Sequence, residues 1–314
     1  MFLAAATRTA FSFLLAFVVA NATSGVTAFS NPLTAPKAMH VSIRPDPASQ
    51  AAAETLVWTD EFNDSKAQAQ PNPANWVAES GHGKWGNHEL QTYCAYGSNS
   101  SPCKADEPNV YVGRDGYLHI IARRTLNGDF TSARIKTEGL ASFQYGRMEA
   151  RIRIPSGKGM WPAFWMLGDS IQRIGWPKCG EFDIMENIGK EPLTIHGSIH
   201  GPGFTGTSLG MPYMTSGDVP WSQAFHIYGM IWSPEKVQYY VDRPSNVYAT
   251  FTPASLPQGA VWPFDQGKFF FILNLAVGGD WPGVPDQTAK FPAEMLVDYV
   301  RVWQRSGATA KSVK

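Results

Sequence analysis

Three acidic residues fall within six positions in the stretch Gly180-Glu181-Phe182-Asp183-Ile184-Met185-Glu186-Asn187. Side chains on a β-strand alternate between faces, so Glu181 and Asp183 share one face while Phe182 and Ile184 take the other. Strict alternation would bring Met185 onto the acidic face next. One extra residue, a β-bulge, returns Glu186 to that face and leaves Met185 in the bulge. Carboxylates gathered on one face repel each other, which is hard to explain as a device for stability. Breaking the acetal bond between two sugars does call for such a group. One carboxylate attacks the anomeric carbon and a second, ~5–5.5 Å away, protonates the leaving oxygen. Residues five apart on an extended strand lie ~16 Å apart at Cα, so the bulge, strand curvature and two long side chains must close the gap. Glu186 must be protonated at rest and needs a raised pKa. Asp183 lies between the two and can hold a hydrogen bond or a proton that decides which glutamate is ionised. The competing reading is an ordinary acidic solvent face, and the apolar residues 182, 184 and 185 speak against it.

The elements that must position these groups read as strands. Residues 117–123, 145–154, 269–276 and 296–303 are β-like, and 145–154 alternates polar with apolar. Residues 225–232 and 237–241 flank Ser233-Pro234-Glu235-Lys236, read as a hairpin with a four-residue turn. A window with a helical stripe is missing. Many short strands joined by Gly/Pro turns imply an all-β sandwich of two antiparallel sheets. After the acidic strand and a turn near residues 189–190, His196, Ser198 and His200 alternate with apolar partners and would line the same cleft. Histidines four apart on a strand sit ~13 Å apart, too far to share one zinc at ~2 Å bonds. Trp161 and Trp165 share strand parity, so both can face the cleft. Trp281 sits in a Gly/Pro loop that favours exposure, where its ring can stack on a sugar.

Composition narrows the class. Lys plus Arg and Asp plus Glu number 26 each, so the chain lacks the basic excess of a nucleic-acid binder. Residues 1–28 carry Arg8, an apolar run at 10–20 and small residues after it, the pattern of a secretory signal too short to span a bilayer. The expected organisation is a signal at 1–28, a flexible leader at 29–54, a catalytic sandwich at 55–305 and a tail at 306–314. The mature protein is expected to be secreted, monomeric and free of membrane. Of three cysteines, Cys94 and Cys103 flank a Gly/Ser/Asn/Pro loop and can close it in an oxidising compartment, leaving Cys179 free. A thiol-protease role for Cys179 lacks a positioned His, and a small apolar filler is the simpler reading.

At these motifs a family resemblance becomes specific. The stretch 180–187 resembles the active-site strand of the laminarinase-type β-glucanases of glycoside hydrolase family 16. The likeness runs from about Trp58 to Trp303. It takes in Trp58-Thr59-Asp60-Glu61-Phe62, Trp85-Gly86-Asn87-His88-Glu89-Leu90-Gln91, Gly146-Arg147-Met148-Glu149-Ala150-Arg151, residues 160–167, Asn274-Leu275-Ala276-Val277-Gly278-Gly279 and Val297-Asp298-Tyr299-Val300-Arg301-Val302. The resemblance implies a β-jelly-roll with a concave substrate cleft, Glu181 as nucleophile, Glu186 as acid/base and Asp183 as their assistant. It implies sugar contacts from Asn87, Arg134, Trp161, Trp165, His200 and Trp281. No cofactor is implied for catalysis. A structural calcium is implied at Glu61, the Gly113 carbonyl and Asp298, whose hard oxygens suit that ion. The Cys94–Cys103 segment looks like an insertion that would reshape one end of the cleft. The substrate implied is a β-1,3-glucan cleaved internally with retention. Mixed-linkage glucan or a galactan on the same scaffold, and a non-catalytic glucan-binding protein, are the alternatives. A binder would be expected to lack one or both of the glutamates, and all three acids are present here.

Overall fold

The computed structural model describes residues 53–305 apart from 65 and 84. The signal at 1–28, nearly all of the leader and the tail at 306–314 lie outside the described residues. Two antiparallel sheets stack face to face. The first has seven strands, in spatial order Gly210–Met214, Thr194–His200, Glu181–Glu186, Met160–Gly168, Phe269–Val277, Arg134–Lys136 and Val77–Glu79. The second has eleven and is built around Ala293–Arg305, which pairs with Gly146–Arg153, Leu118–Arg124 and Glu54–Asp60. Helix is confined among the described residues to one turn, Ile171–Ile174, and short 3-10 pieces. The expected all-β sandwich is thus the observed architecture.

Phe269–Val277 shows how the sequence builds it. Every residue of this central strand is buried. Phe270, Ile272, Asn274 and Ala276 face the open side of the first sheet, where they form the floor of a cleft. The alternate residues point between the sheets. There Phe271 stacks on Phe164 with ring centroids 5.5 Å apart and on Trp58 at 6.0 Å. Phe182, the apolar neighbour of the acidic residues, packs on Phe264 at 4.4 Å and edge-on to Trp232 at 5.1 Å. Such pairs add roughly 0.5–1.5 kcal/mol each beyond their burial. The acidic strand is therefore held from below by an aromatic layer.

Two boundaries differ from the sequence expectation. Glu54, assigned to the leader, already pairs with Arg305 and accepts from Arg147 at 2.8 Å, so strand pairing starts one residue early. The hairpin closes on Ser233 opposite Lys236, so its turn is the two residues Pro234 and Glu235 rather than four. Pro234 holds a negative φ and Glu235 takes the left-handed backbone (φ 56°), the φ pattern of a type II turn.

Cys94 and Cys103 are joined, and Cys179 is free and buried. The bridged loop leaves directly from Tyr93, whose hydroxyl lies 3.2 Å from Asn274 Nδ2 on the cleft floor. Closing so short a loop stabilises by at most ~3 kcal/mol. A peptide map without reduction should show the 94–103 crosslink, and native alkylation should leave Cys179 unmodified. A crosslink involving Cys179 would contradict this arrangement.

Candidate active site

The acidic strand is bulged. Against Thr194–His200, Asp183 pairs with Ser198 and Glu186 with His196, so Ile184 and Met185 together oppose the single residue Gly197. Against Met160–Gly168, Met185 pairs with Phe164 and Asp183 with Trp165, which leaves Ile184 as the extra residue. The sequence reading had put Met185 there. Both side chains are buried in the core, and this anchors the bulge. Gly197 is required opposite it: a Cβ there would lie 2.4 Å from the Tyr248 hydroxyl and 2.6 Å from the Tyr239 ring.

Each glutamate receives one indole N–H. Trp176 Nε1 donates to Glu181 Oε2 at 2.5 Å, and Trp161 Nε1 donates to Glu186 Oε1 at 3.0 Å. Asp183, buried between them, pairs with His200 Nε2 at 2.9 Å. Glu181 lies directly across the ladder from His200, as Glu186 does from His196. Ligand atoms of Glu181, Asp183 and His200 lie within 4.8 Å of one another, which is close enough to share a cation and equally suits a chain of hydrogen bonds.

Burial in the cleft drives the electrostatics. It pushes Glu186 up to about 7, with the Trp161 N–H pulling down and the charge of Glu181 pushing up. It also raises Glu181 well above the ordinary carboxylate range, with the charge of Asp183 adding, and raises Asp183, with the charge of Glu186 adding; His200 opposes the rise in all three acids. The two histidines diverge. Burial works against a charge on His200, but Asp183 and then the two glutamates carry it up to about 9. His196 is lowered by burial, its contact with Glu191 at 3.2 Å being insufficient to offset that. At neutral pH a cation therefore stands opposite Glu181 and a neutral imidazole opposite Glu186. Cys179 is held up at about 11 by burial and the charge of Glu181, so it is no thiolate nucleophile at neutral pH.

Trp161 and Trp165 both line the cleft. Trp165 Nε1 is committed to Asn274 Oδ1 at 2.7 Å, which leaves its ring face as the available surface. Arg134 lies between the rings of Trp85 and Trp165, 5.1 and 4.7 Å from their centroids, and is ion-paired with Glu79. Asn87 is exposed at the rim with a left-handed backbone (φ 52°). Its carbonyl accepts from Asp280 N at 2.9 Å, tying its loop to the one that carries Trp281. Trp281 is half-buried, edge-on to Trp161 at 5.4 Å and to His196 at 4.9 Å.

The residues named for calcium are already engaged. Both oxygens of Glu61 accept from Arg301, at 2.8 and 2.7 Å. Asp298 accepts from Arg151 at 2.6 Å, and the Gly113 carbonyl accepts from Gly116 N at 3.2 Å. Two guanidinium groups neutralise the two carboxylates, and a dication would have to displace them. This donor set, as arranged, does not fit calcium.

Three cleft residues escaped sequence reasoning. Trp176 precedes a proline in a Gly/Pro-rich loop as Trp281 does, and this is the available signal. Asn274 was visible only as a polar residue in an apolar strand. Glu89, raised by burial and held by Gln91 and Tyr93, lines the cleft beside Arg134.

A cleft on one sheet that carries paired carboxylates with unequal surroundings and is lined by tryptophans defines a glycoside hydrolase. Comparison with known proteins agrees. The model of "Glycosyl hydrolases family 16" matches residues 98–301. A beta-glucanase of Rhodothermus marinus is 40% identical over 270 residues, covering 82% of this chain and 88% of that protein. A glucan endo-1,3-beta-glucosidase of Cryptopygus antarcticus is 36% identical over 272 residues, covering 80% and 92%. The crystal structure of an endo-beta-1,3-glucanase from Pyrococcus furiosus superposes with a TM-score of 0.71 at 42% identity, covering 82% of this chain and 97% of that one. The chain belongs to glycoside hydrolase family 16.

The His200–Asp183 contact yields a direct test. In an NMR titration, the His200 imidazole should titrate near 9. Asp183→Asn removes the charge and the acceptor that hold the proton, so the transition should move down. An unchanged midpoint would show that Asp183 does not hold the imidazolium.

Proposed function

We propose that this chain is an exported, endo-acting hydrolase of β-1,3-glucan that retains the β configuration. The observation that carries the reading is the bulged strand, with Glu181 beside a charged histidine and Glu186 beside a neutral one. Glu181 attacks the anomeric carbon. The cationic His200 and the Trp176 N–H favour its ionised form, and a proton shared within the Glu181–Asp183 pair frees the nucleophile when it sits on Asp183. Glu186, protonated below about 7, gives its proton to the leaving oxygen and then takes one from the incoming water.

The choice of glucan rests on the relatives described above, which are named for β-glucan or β-1,3-glucan hydrolysis. Charge agrees with a neutral polymer. The cleft cations Arg134 and Lys136 are matched by Glu79 and Glu138, leaving no excess to attract a sulfated chain. Export rests on the N-terminal pattern.

Glu181→Ala and Glu186→Ala should each lower laminarin hydrolysis by at least about 100-fold without unfolding the domain. Azide should rescue the first with an inverted glycosyl azide and the second with a retained one. Near wild-type activity in either variant would refute the assignment. For the wild type, kcat/KM should decline as pH rises through about 7, because the acid form of Glu186 is lost. Trp161→Phe removes a donor that favours the carboxylate, so the alkaline limb should move to higher pH; a limb that stays put would detach it from Glu186.

A further inference from the structure

The second sheet carries a groove of its own, away from the carboxylates. A row runs across this sheet in register: Trp303 stands opposite Arg147, Arg147 opposite Ile231, and Ile231 opposite Gln238. Strand parity turns all four outward, since their chain neighbours Val302, Met148, Trp232 and Val237 are buried. Trp303, Ile231 and Gln238, with the hairpin turn after Ser233 and residues 265–267, line a groove of about 1060 Å³. The acidic cleft on the other sheet measures about 510 Å³.

The makeup of this groove suits a sugar chain. Trp303 is half-buried, and the Arg147 guanidinium stacks over its ring, 3.6 Å from the centroid. Arg147 is itself fixed by Glu54 at 2.8 Å and Glu149 at 2.7 Å, so the indole is held stiffly. Tyr145 lines the same groove and packs edge-on to Trp232 at 5.1 Å. Aromatic rings held in this way meet the apolar faces of sugars at little ordering cost. Gln144, Gln238 and Gln304 add amides, which can both donate to and accept from hydroxyls. Charge is balanced, with Glu54 and Asp265 against Lys236 and Arg305, so the groove favours a neutral ligand. Trp232 also contributes to the wall. It is 1% exposed, and its indole N–H has no acceptor among the described residues. A buried donor left unpaired is costly, and a ligand oxygen reaching the inner wall would relieve it.

We propose that this groove is a second β-glucan-binding site, which holds polymer on the far sheet while the cleft cuts. The inference rests on the β-glucan reading of the cleft given above. No bond is made or broken in the groove. Its effect is on local concentration: a protein held to a glucan particle at one site meets further chain at the other without returning to solution. A short soluble oligosaccharide gains nothing from it, because one bound in the cleft lies on the other sheet.

The test compares the full protein on insoluble curdlan and on soluble laminaripentaose. Trp303→Ala should slow curdlan hydrolysis at low substrate load by about fivefold, the factor that one aromatic contact carries. The rate on laminaripentaose should stay that of the wild type. Gln238→Ala removes a side chain whose contact with Thr250 is long, at 3.4 Å, so it spares the fold and should give a smaller drop on curdlan alone. Thermal melting checks both variants, and Gln238→Ala decides the matter if Trp303→Ala fails to fold. A curdlan-to-pentaose ratio unchanged in the folded variants would overturn the second site and leave the hydrolase reading standing. An unchanged ratio with a lower sedimentation coefficient for Trp303→Ala would assign the face to a second copy of this chain and overturn it as well. Failure of the wild type to cleave either substrate would instead overturn the glucan reading of the cleft, and the second site with it.

Discussion

The whole site depends on one irregularity in strand pairing: Ile184 and Met185 facing the single residue Gly197. Without the extra residue, alternation would send Glu186 into the core and a methionine into the cleft. The bulge is stable because its two side chains are apolar and fully buried, so the core enforces what the active face needs. It also requires the facing strand to yield space. Gly197 does so, since Tyr239 and Tyr248 occupy the volume its side chain would fill. Tyr239 in turn donates to the Ser198 carbonyl at 2.7 Å, pinning the partner strand beside the bulge.

Burying three carboxylates on one strand is costly, and the surrounding residues show how the cost is offset. Asp183 has an imidazolium partner, and each glutamate has an indole N–H. The cleft walls follow the same rule. Arg134 and Lys136 are each paired with an acid, and Arg134 is covered on two sides by tryptophan rings. Removing one partner from such a set leaves a buried charge without compensation, which is worse than never having had the pair. The walls are therefore fixed as a unit.

Much of this was legible in the sequence because period two is a local rule. The acidic strand, the need for a bulge, the shared parity of Trp161 with Trp165 and the row His196-Ser198-His200 all follow from alternation over short stretches. What could not be read depends on contacts between distant segments. Trp176 reaches Glu181 through a turn around Cys179 and Gly180, and no periodicity reports that geometry. The pairing of Arg134 with Glu79 joins residues 55 positions apart on neighbouring strands. The same holds at the residues named for calcium: the sequence shows the oxygens of Glu61 and Asp298 but not the arginines paired with them.

The two glutamates are chemically identical and each holds one tryptophan, so their difference must come from the next neighbours. Indole is a donor that cannot accept a proton, so it favours the ionised form of either glutamate and does not choose between them. The histidines differ. His200 is tied to Asp183, and the acids around it keep it charged; His196 is turned to Glu191 and packed on Trp281, and burial keeps it neutral. The positive charge opposite Glu181 opposes the rise that burial and Asp183 impose on it, and it acts on Glu186 too, which faces a neutral imidazole of its own. The asymmetry around the two glutamates is thus set on the partner strand, in which of two histidines four residues apart has an acid of the acidic strand to hold.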